Sequence, residues 1–452
     1  MRSRDLTKGS IIKGFILFAL PLLGGSLFQQ LYSTVDMLFV GNFLGKNAAA
    51  AIGASSILVN CLIRLFTGIS VGAGVVIAQY FGAGEHKKMR DCMWVSLVAG
   101  TVGGIVLEIA AVSLAEPMLQ ILNTPQVIMP EALLYVRIYF LAMIPMILYN
   151  ISSGALRAQG DAKTPFYILI AGGMMNVVLD AVFIGIVRNG VGGAAVATLL
   201  SQCFTAVISC ICLLRKNRNL HRQTFTKGML MRILKVGFPV GIESMLMTIS
   251  NVVIQYYING FGENAVAAFS VYYKAENILY LPIMAFGQAM LTFTGQNYGA
   301  GKMDRIRHGA WSCTVVSVCT VGLLSMVSVV YGTEILGIFC PDEGVIAEGL
   351  KIIRISFPLY FLYGILEVTG GIIRGMGKTL WSMIVLITNL CGLRIVLLPF
   401  LEAQYHSLSA VAAVYPITWG LTAISFALSC VFLLRKKSTT AVCCYVNEPE
   451  KM

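Results

Sequence analysis

The stretch QYFGAGEHKKMR at residues 79–90 recurs as QNYGAGKMDRIR at residues 296–307, a spacing of 217 residues. The same spacing relates ALRAQG, which begins at Ala155, to IIRGMG, which begins at Ile372. Nearer the start of each half, ALPLLGG and GFPVGIE also correspond. Similarity at a fixed spacing indicates an internal duplication. The sequence therefore predicts two halves with the same fold.

The composition excludes a soluble enzyme and indicates a membrane protein. Of the 452 residues, 57% are hydrophobic and 12% are charged, whereas soluble domains contain about 25% charged residues. Each half contains six apolar stretches of the roughly 20 residues that a membrane-spanning helix needs. The predicted fold class is an all-α polytopic membrane protein with twelve transmembrane helices in two pseudo-symmetric six-helix lobes. The stretches cover residues 13–40, 49–78, 92–115, 129–150, 165–187, 191–214, 232–259, 265–295, 309–332, 349–370, 380–401 and 408–434.

The predicted division of the chain follows this repeat. Residues 1–214 form the N-terminal six-helix lobe, residues 215–231 a basic cytoplasmic linker, residues 232–434 the C-terminal six-helix lobe and residues 435–452 a cytoplasmic tail. Because six is an even number, both lobes begin on the same side of the membrane, as parallel repeats do. Two such lobes are expected to leave a cleft between them and to work by alternating access.

The basic residues set the predicted orientation. The formal net charge is +12, and 25 of the 33 Lys and Arg residues fall in the termini and in one set of loops. Because Lys and Arg collect on the cytoplasmic side of a membrane, both termini are predicted to be cytoplasmic, and no nucleic acid partner is expected. The twelve cysteines include no CxxC pair, so they predict neither a metal site nor a cofactor.

Two aspartates within the apolar stretches are the main candidates for function. A charged side chain at membrane depth costs at least about 2.5 kcal/mol, so Asp36 and Asp180 are expected to serve a purpose. Asn176 lies one turn before Asp180 on the same helix face, and Thr198 of the next span reaches a similar depth. Two carboxyls in one dry site resist double ionisation, so the pair is suited to hold a proton or a small cation. The alternative is a structural pair of capping or salt-bridged aspartates, with Arg137 as a counter-charge.

The second half does not repeat this pair. Asp36 aligns near Ile254, and Arg394 lies where the first half has Asp180. Other ionisable residues enter the predicted spans instead. They either pair among themselves or face the cleft and attract a charged substrate, and both interpretations stay open. The residues proposed for the cleft are Glu243, Lys274, Glu276, Glu367 and Arg394.

One catalytic motif is imitated by the sequence. Residues 68–72 read Gly-Ile-Ser-Val-Gly, which fits the nucleophile elbow G-x-S-x-G of hydrolases. That motif needs a strand-turn-helix context and a histidine partner, but all four histidines fall in predicted loops. Small residues for close helix packing explain the pattern better. No enzymatic activity is predicted.

Taken together, several segments resemble the MATE (multidrug and toxic compound extrusion) transporters, in particular their bacterial DinF-like branch. The resemblance extends over essentially the whole chain. It rests on the segment from Pro21 to Asp36 with its LYSTVD end, the two QxxGAG loops, LRAQGDAKTP at Leu156, NVVLD at Asn176, GVGGAAVATLLSQ at Gly190 and IIRGMGKT at Ile372.

The resemblance implies a V of two lobes in the bacterial inner membrane and a monomeric exporter of cationic or amphipathic organic compounds. The driving force would be entry of the coupling ion, H⁺ or Na⁺, with no cofactor. The family's cation site matches Asp36, Asn176, Asp180 and Thr198, with Tyr135 as a further member. If the ion is Na⁺, its ligands would be Asp36, Asn176 and Asp180.

Some relatives also use a carboxylate pair in the second lobe. Glu243 matches one member of that pair, whereas the other has no clear counterpart and Glu367 is only a neighbour. The nearest alternative function is a flippase for lipid-linked sugars, which shares this architecture and would need a basic cleft for a diphosphate. A membrane receptor or an embedded hydrolase is the remote alternative.

Overall fold

The computed structural model describes residues 4–121, 124–217, 220 and 223–435, and no β-strand occurs among them. Sixteen α-helices were found in these described residues. They are α1 (Ile11–Phe39), α2 (Gly45–Gly82), α3 (His86–Ile121), α4 (Met129–Leu141), α5 (Met143–Ala158), α6 (Lys163–Asp180), α7 (Gly190–Lys216), α8 (Lys227–Asn259), α9 (Glu263–Gly299), α10 (Met303–Val330), α11 (Gly332–Phe339), α12 (Glu343–Ser356), α13 (Phe361–Gly375), α14 (Thr379–Leu386), α15 (Leu393–Tyr405) and α16 (Leu408–Arg435).

The helices of the described residues give up to twelve membrane spans. Ten segments are long and apolar enough to cross a bilayer, and two bent pairs qualify when each pair is counted as one span. The pairs are α4 with α5, bent by 41°, and α12 with α13, bent by 48°. Large apolar side chains such as Leu31, Ile109 and Phe432 are more than 60% exposed, which suits lipid and not water. The predicted all-α polytopic fold class is confirmed.

Irregular segments recur at corresponding places in the two halves. Each half contains one of the bent pairs, and a π-helical segment follows α6 at Ala181–Ile186 and α14 at Ile387–Gly392. A third π-helical segment, Val40–Leu44, follows α1. Such segments interrupt the regular helix and occur frequently at functional sites. Asp180 immediately precedes one of them, and Asp36 lies four residues before another.

The described helices divide into two compact units. One contains residues 24–241 and the described part of residues 1–5, and the other contains residues 6–23 and the described part of residues 242–452. In the first unit, α5 packs against α2, α3 and α7. In the second, α13 packs in the same way against α9, α10 and α16. The division therefore falls within two helices. Residues 11–23 of α1 belong to the second unit and the rest of α1 to the first, whereas residues 227–241 of α8 belong to the first unit and the rest of α8 to the second.

Glycine permits one very close helix contact within the first unit. A Cβ added at Gly68 of α2 would lie 2.2 Å from the backbone nitrogen of Gly241 in α8, and one added at Gly72 would lie 2.2 Å from the Cα of Gly237. No side chain larger than hydrogen fits at such a distance. The interpretation of residues 68–72 as a packing motif, not a nucleophile elbow, is confirmed.

Candidate functional site

Asp36 and Asp180 meet within the first unit. Asp36 lies in the last turn of α1, where it is half-buried, and Asp180 is the last residue of α6 and is completely buried. The two carboxyl groups are close enough to interact directly. Two residues that are 144 positions apart in the sequence are therefore brought into one carboxyl pair.

Most of the oxygens in this pair have no donor. Oδ1 of Asp36 and both carboxyl oxygens of Asp180 are buried without a hydrogen-bond partner among the described residues. A buried carboxylate without compensation is strongly unfavourable, and an ionised carboxylate accepts hydrogen bonds but donates none. The two groups thus cannot satisfy each other while both are ionised. A proton on one carboxyl would supply the missing hydrogen-bond donor, and a small cation between the two would supply a compensating positive charge.

Tyrosines surround the carboxyl pair. Tyr135 of α4 is buried and lies within electrostatic range of both carboxyls. Tyr139 and Tyr32 lie within electrostatic range of Asp36, and the rings of Tyr135 and Tyr139 are 5.6 Å apart. Sequence reasoning did not select Tyr32 or Tyr139. Tyr32 precedes Asp36 by four residues and Tyr139 follows Tyr135 by four, so each shares a helix face with a predicted site residue. That spacing was the signal that would have identified Tyr32 and Tyr139.

The remaining two predicted members of the site lie on α6 and α7. Asn176 is buried one turn before Asp180, and its Nδ2 has no acceptor among the described residues. Thr198 is half-buried on α7, which packs against α6. The carbonyl oxygen of Thr198 accepts a hydrogen bond of 2.9 Å from the Ser201 hydroxyl. In the described part of the chain, no hydrogen bond joins the Thr198 side chain to the carboxyl pair.

The donor atoms available at the pair suit a proton or a hard cation. They are carboxyl oxygens, with the carbonyl oxygen of the Asn176 amide one turn away, and oxygen is the ligand that hard cations prefer. Across the described residues there is no group of three or more His, Cys, Asp or Glu arranged to hold a metal ion.

In the second unit, two of the predicted cleft residues bind one arginine. Arg374 Nη1 lies 3.0 Å from Glu243 Oε1, and Arg374 Nη2 lies 2.6 Å from Glu367 Oε1. The hydroxyl of Ser382 is 3.4 Å from Glu243 Oε2. Arg374 is buried in the last turn of α13, whereas the predicted span ended at residue 370 and left this arginine in the loop that follows. The internal repeat was the signal: Arg157 in ALRAQG corresponds to Arg374, and each arginine lies in the last turn of its helix.

Glu276 and Arg394 belong to an aromatic cluster of the second unit. Glu276 Oε1 accepts hydrogen bonds from the hydroxyls of Tyr360, at 3.0 Å, and Tyr272, at 3.4 Å. The guanidinium of Arg394 lies 4.9 Å from the centre of the Tyr415 ring. Arg394 forms no ion pair with Glu243 or Glu367 among the described residues.

Lys274 is different from the other predicted cleft residues. Its side chain is exposed, and its ammonium group lies 5.8 Å from the centre of the Phe339 ring. A cation at this distance from an aromatic face gains a small electrostatic attraction. No carboxylate pairs with Lys274 in the described residues.

Asp161, in the LRAQGDAKTP segment, fixes the loop that precedes α6. Its Oδ1 accepts a hydrogen bond from the backbone N–H of Thr164 at 3.1 Å, and its Oδ2 lies 3.0 Å from the Thr164 hydroxyl and 3.1 Å from Lys216 Nζ. Burial by itself would raise the pKa of Asp161. The hydrogen bonds from Thr164 and the charge of Lys216 outweigh burial and hold that pKa below its ordinary value.

Comparison with known proteins identifies the family. The MatE family model matches residues 21–182 and again residues 239–400. The two matches have the same length and are 218 residues apart, so the predicted duplication is confirmed.

Several relatives and solved structures match nearly the whole chain. The probable multidrug resistance protein YoeA of Bacillus subtilis is 27% identical over 451 residues, 96% of each chain. The multidrug export protein MepA of Staphylococcus saprophyticus is 24% identical over 438 residues, 96% of each. The crystal structure of a MATE protein in the straight conformation matches with a TM-score of 0.91 and 21% identity over 97% of this chain and 100% of that one. The placement in the DinF-like branch remains a prediction. The chain belongs to the MatE family, and it is a multi-pass membrane transporter and not an enzyme.

Proposed function

We propose that this transporter is a multidrug efflux antiporter, which exports cationic or amphipathic organic compounds in exchange for H⁺ or Na⁺. The names of its relatives YoeA and MepA support the class of substrate. The single observation that carries the proposal for ion coupling is the buried pair of Asp36 and Asp180, whose oxygens have no donor among the described residues. Such a pair binds and releases one cationic charge as its surroundings change.

The coupling step follows from the charge of the pair. Because Asp36 at the end of α1 and Asp180 at the end of α6 resist double ionisation, they share one negative charge. A cation that enters from outside neutralises it, so the negative charge that favours a cationic substrate is lost. Substrate then leaves outward, and release of the ion to the cytoplasm restores the charge. One charge that crosses about 100 mV supplies about 2.3 kcal/mol, and one pH unit adds about 1.4 kcal/mol. For a neutral amphipathic substrate the two terms together support a concentration ratio of roughly several hundred. A monovalent cationic substrate carries its own charge outward against the potential, so one-for-one exchange leaves only the pH term, which supports a ratio of about ten.

The proposal includes the setting of the protein. We infer a bacterial cell membrane, both termini on the cytoplasmic side and a monomer as the working unit. The exposed apolar side chains of the described helices support contact with lipid over much of the surface. No partner other than the bilayer, the ion and the transported compound is needed for this cycle.

The proposal is tested by transport in everted membrane vesicles. Ethidium is the probe, and an H⁺ gradient or a Na⁺ gradient is applied separately. We expect one of the gradients to drive ethidium accumulation, which identifies the coupling ion. If neither gradient drives transport although the protein is inserted, antiport of this cation is contradicted, and a flippase for lipid-linked sugars becomes the better candidate.

A further inference from the structure

The second unit contains a carboxylate pair that the coupling mechanism does not use. Glu243 on α8 and Glu367 on α13 are both nearly buried, and their side chains are 7% and 12% exposed. Unlike Asp36 and Asp180, these carboxylates have charged donors at 3.0 and 2.6 Å from a single guanidinium, that of Arg374. The chain itself therefore supplies a positive charge that compensates one of the two negative charges of the pair.

The surrounding residues make room for this ion cluster. A Cβ added at Gly287 of α9 would lie 2.6 Å from Glu367 Cγ, and one added at Gly370 would lie 3.4 Å from Arg374 Nη2. In the first half, the position of Gly287 is occupied by Ser70. A larger side chain at Gly287 would displace the carboxylate of Glu367. The cluster is thus accommodated by the packing of α9 against α13.

The internal repeat shows that the two acids are present in the second half and absent from the corresponding positions of the first. Arg374 corresponds to Arg157, but Glu243 corresponds to Gly25 and Glu367 to Asn150. Arg157 forms no salt bridge with an acid in the described part of the chain. Among the described residues, each half therefore has a buried carboxylate pair at a different place in the repeat, and the second pair is bound to an arginine whereas the first is not.

We propose that Arg374 is the built-in counter-cation of the Glu243 and Glu367 pair. In the second half, a guanidinium of the chain takes the place that a transported H⁺ or Na⁺ takes at Asp36 and Asp180, a comparison that rests on the proposed coupling at the first pair. The two glutamates and the arginine sum to one net negative charge, which the Ser382 hydroxyl also solvates. While Arg374 is present, this pair binds no exchangeable Na⁺.

The test measures binding of radioactive Na⁺ to the purified full chain in detergent, so that it does not depend on transport. Both arms carry Asp36→Asn and Asp180→Asn, which remove the first pair. One arm adds Glu367→Gln, and the other adds Glu367→Gln and Arg374→Met. At a pH high enough to ionise the remaining carboxyl, we expect no saturable Na⁺ binding in the first arm and about one Na⁺ per chain in the second, because an uncompensated buried carboxylate that holds no proton recruits a cation. Arg374→Lys, in place of Arg374→Met, should abolish the binding again.

Two results would overturn the proposal. One is a folded Arg374→Met arm that binds no Na⁺. The other comes from a variant that keeps Arg374, so it can be measured even if the Arg374→Met variant does not fold. In the otherwise unchanged chain, Glu243→Gln should leave the amount of bound Na⁺ the same, and the loss of about one Na⁺ per chain would show that the pair is itself an exchangeable site. Failure of the efflux proposal would appear separately, as absence of gradient-driven ethidium transport.

Discussion

At the residue scale, the availability of donors separates the two buried carboxylate pairs. Asp36 and Asp180 face each other with three buried oxygens that have no donor among the described residues. Glu243 and Glu367 share the guanidinium of Arg374. The first arrangement has no positive charge from the chain, whereas the second has one. This difference in charge compensation makes the first pair the better candidate for ion coupling.

Asp161 provides a test of local electrostatics outside the membrane-spanning helices. Its pKa is lowered in the folded protein, so its contribution to stability is present above the unfolded-state pKa of about 3.9 and is lost as the pH falls through the lower folded value. Asp161→Asn removes the charge that pairs with Lys216. We expect it to destabilise the protein by about 1 kcal/mol near pH 7, with a difference that shrinks below about pH 4.

The measurement is the thermal unfolding midpoint in detergent over this range of pH. Asp304→Asn is the matched control, since Asp304 pairs with Arg307 at 2.6 Å but is 84% exposed. Exposed ion pairs contribute about 0–1 kcal/mol, so the control variant should unfold close to the unchanged protein. An equal effect of both substitutions would contradict the assigned role of Asp161.

Residue-level prediction from sequence succeeded where the signal was local. A carboxylate within an apolar stretch is conspicuous, and the spacing of four residues placed Asn176 and Asp180 on one face of a helix. Arg374 was missed as a site residue because it is followed by Gly-Met-Gly-Lys, which is typical of a loop. Its partner Glu243 is 131 residues away, and hydropathy contains no information about such a contact.

At the element scale, glycine and helix irregularity determine how the spans pack. Gly68 and Gly72 bring α2 against the first part of α8 at backbone contact distance. The π-helical segments after α1 and α6 interrupt the regular helix close to Asp36 and Asp180. Both features place functional or packing residues in geometries that a regular helix with larger side chains would not allow.

The close contact predicts a strong effect of a single methyl group. Gly72→Ala should destabilise the protein by about 1–3 kcal/mol, because its Cβ would overlap the backbone of Gly237. Gly103→Ala in α3 is the matched control, since an added Cβ there has no atom within 4 Å. Thermal unfolding in detergent compares the two variants. A Gly72→Ala protein as stable as Gly103→Ala would contradict the contact between α2 and α8.

Element prediction from sequence was accurate for the existence of spans and incomplete for their shape. The twelve apolar stretches correspond to ten straight spans and two bent pairs among the described residues. Hydropathy averages over about 20 residues, so it does not detect a bend of 41° or 48° within an apolar stretch. The π-helical segments were not predicted either, because hydropathy does not distinguish them from a regular α-helix.

At the scale of the whole molecule, duplication explains the similarity of the two units. In each, a helix that follows a bend occupies the centre of the packing, α5 in the first and α13 in the second. The two MatE matches at residues 21–182 and 239–400 reflect the same duplication. The domain boundaries predicted at residues 214, 231 and 434 stay predictions, and so does the orientation.

The distribution of Lys and Arg predicts that both termini are cytoplasmic. Green fluorescent protein fused to the C-terminus should therefore fluoresce, and alkaline phosphatase fused there should be inactive. Phosphatase fused after Asp342, in the loop before α12 that should lie outside, should be active. The opposite pattern would reverse the assigned orientation and with it the direction of transport.

The measurement that tests the central claim most directly is gradient-driven ethidium efflux by Asp36→Asn and Asp180→Asn in everted vesicles. Each substitution keeps the size of the side chain and removes a carboxyl group that we propose binds the coupling ion. We predict that efflux falls to the level of vesicles without the protein, while membrane insertion is unchanged. Glu402→Gln, a carboxylate outside the pair, should transport normally. Full efflux by either aspartate variant would contradict the assignment of this pair as the coupling site.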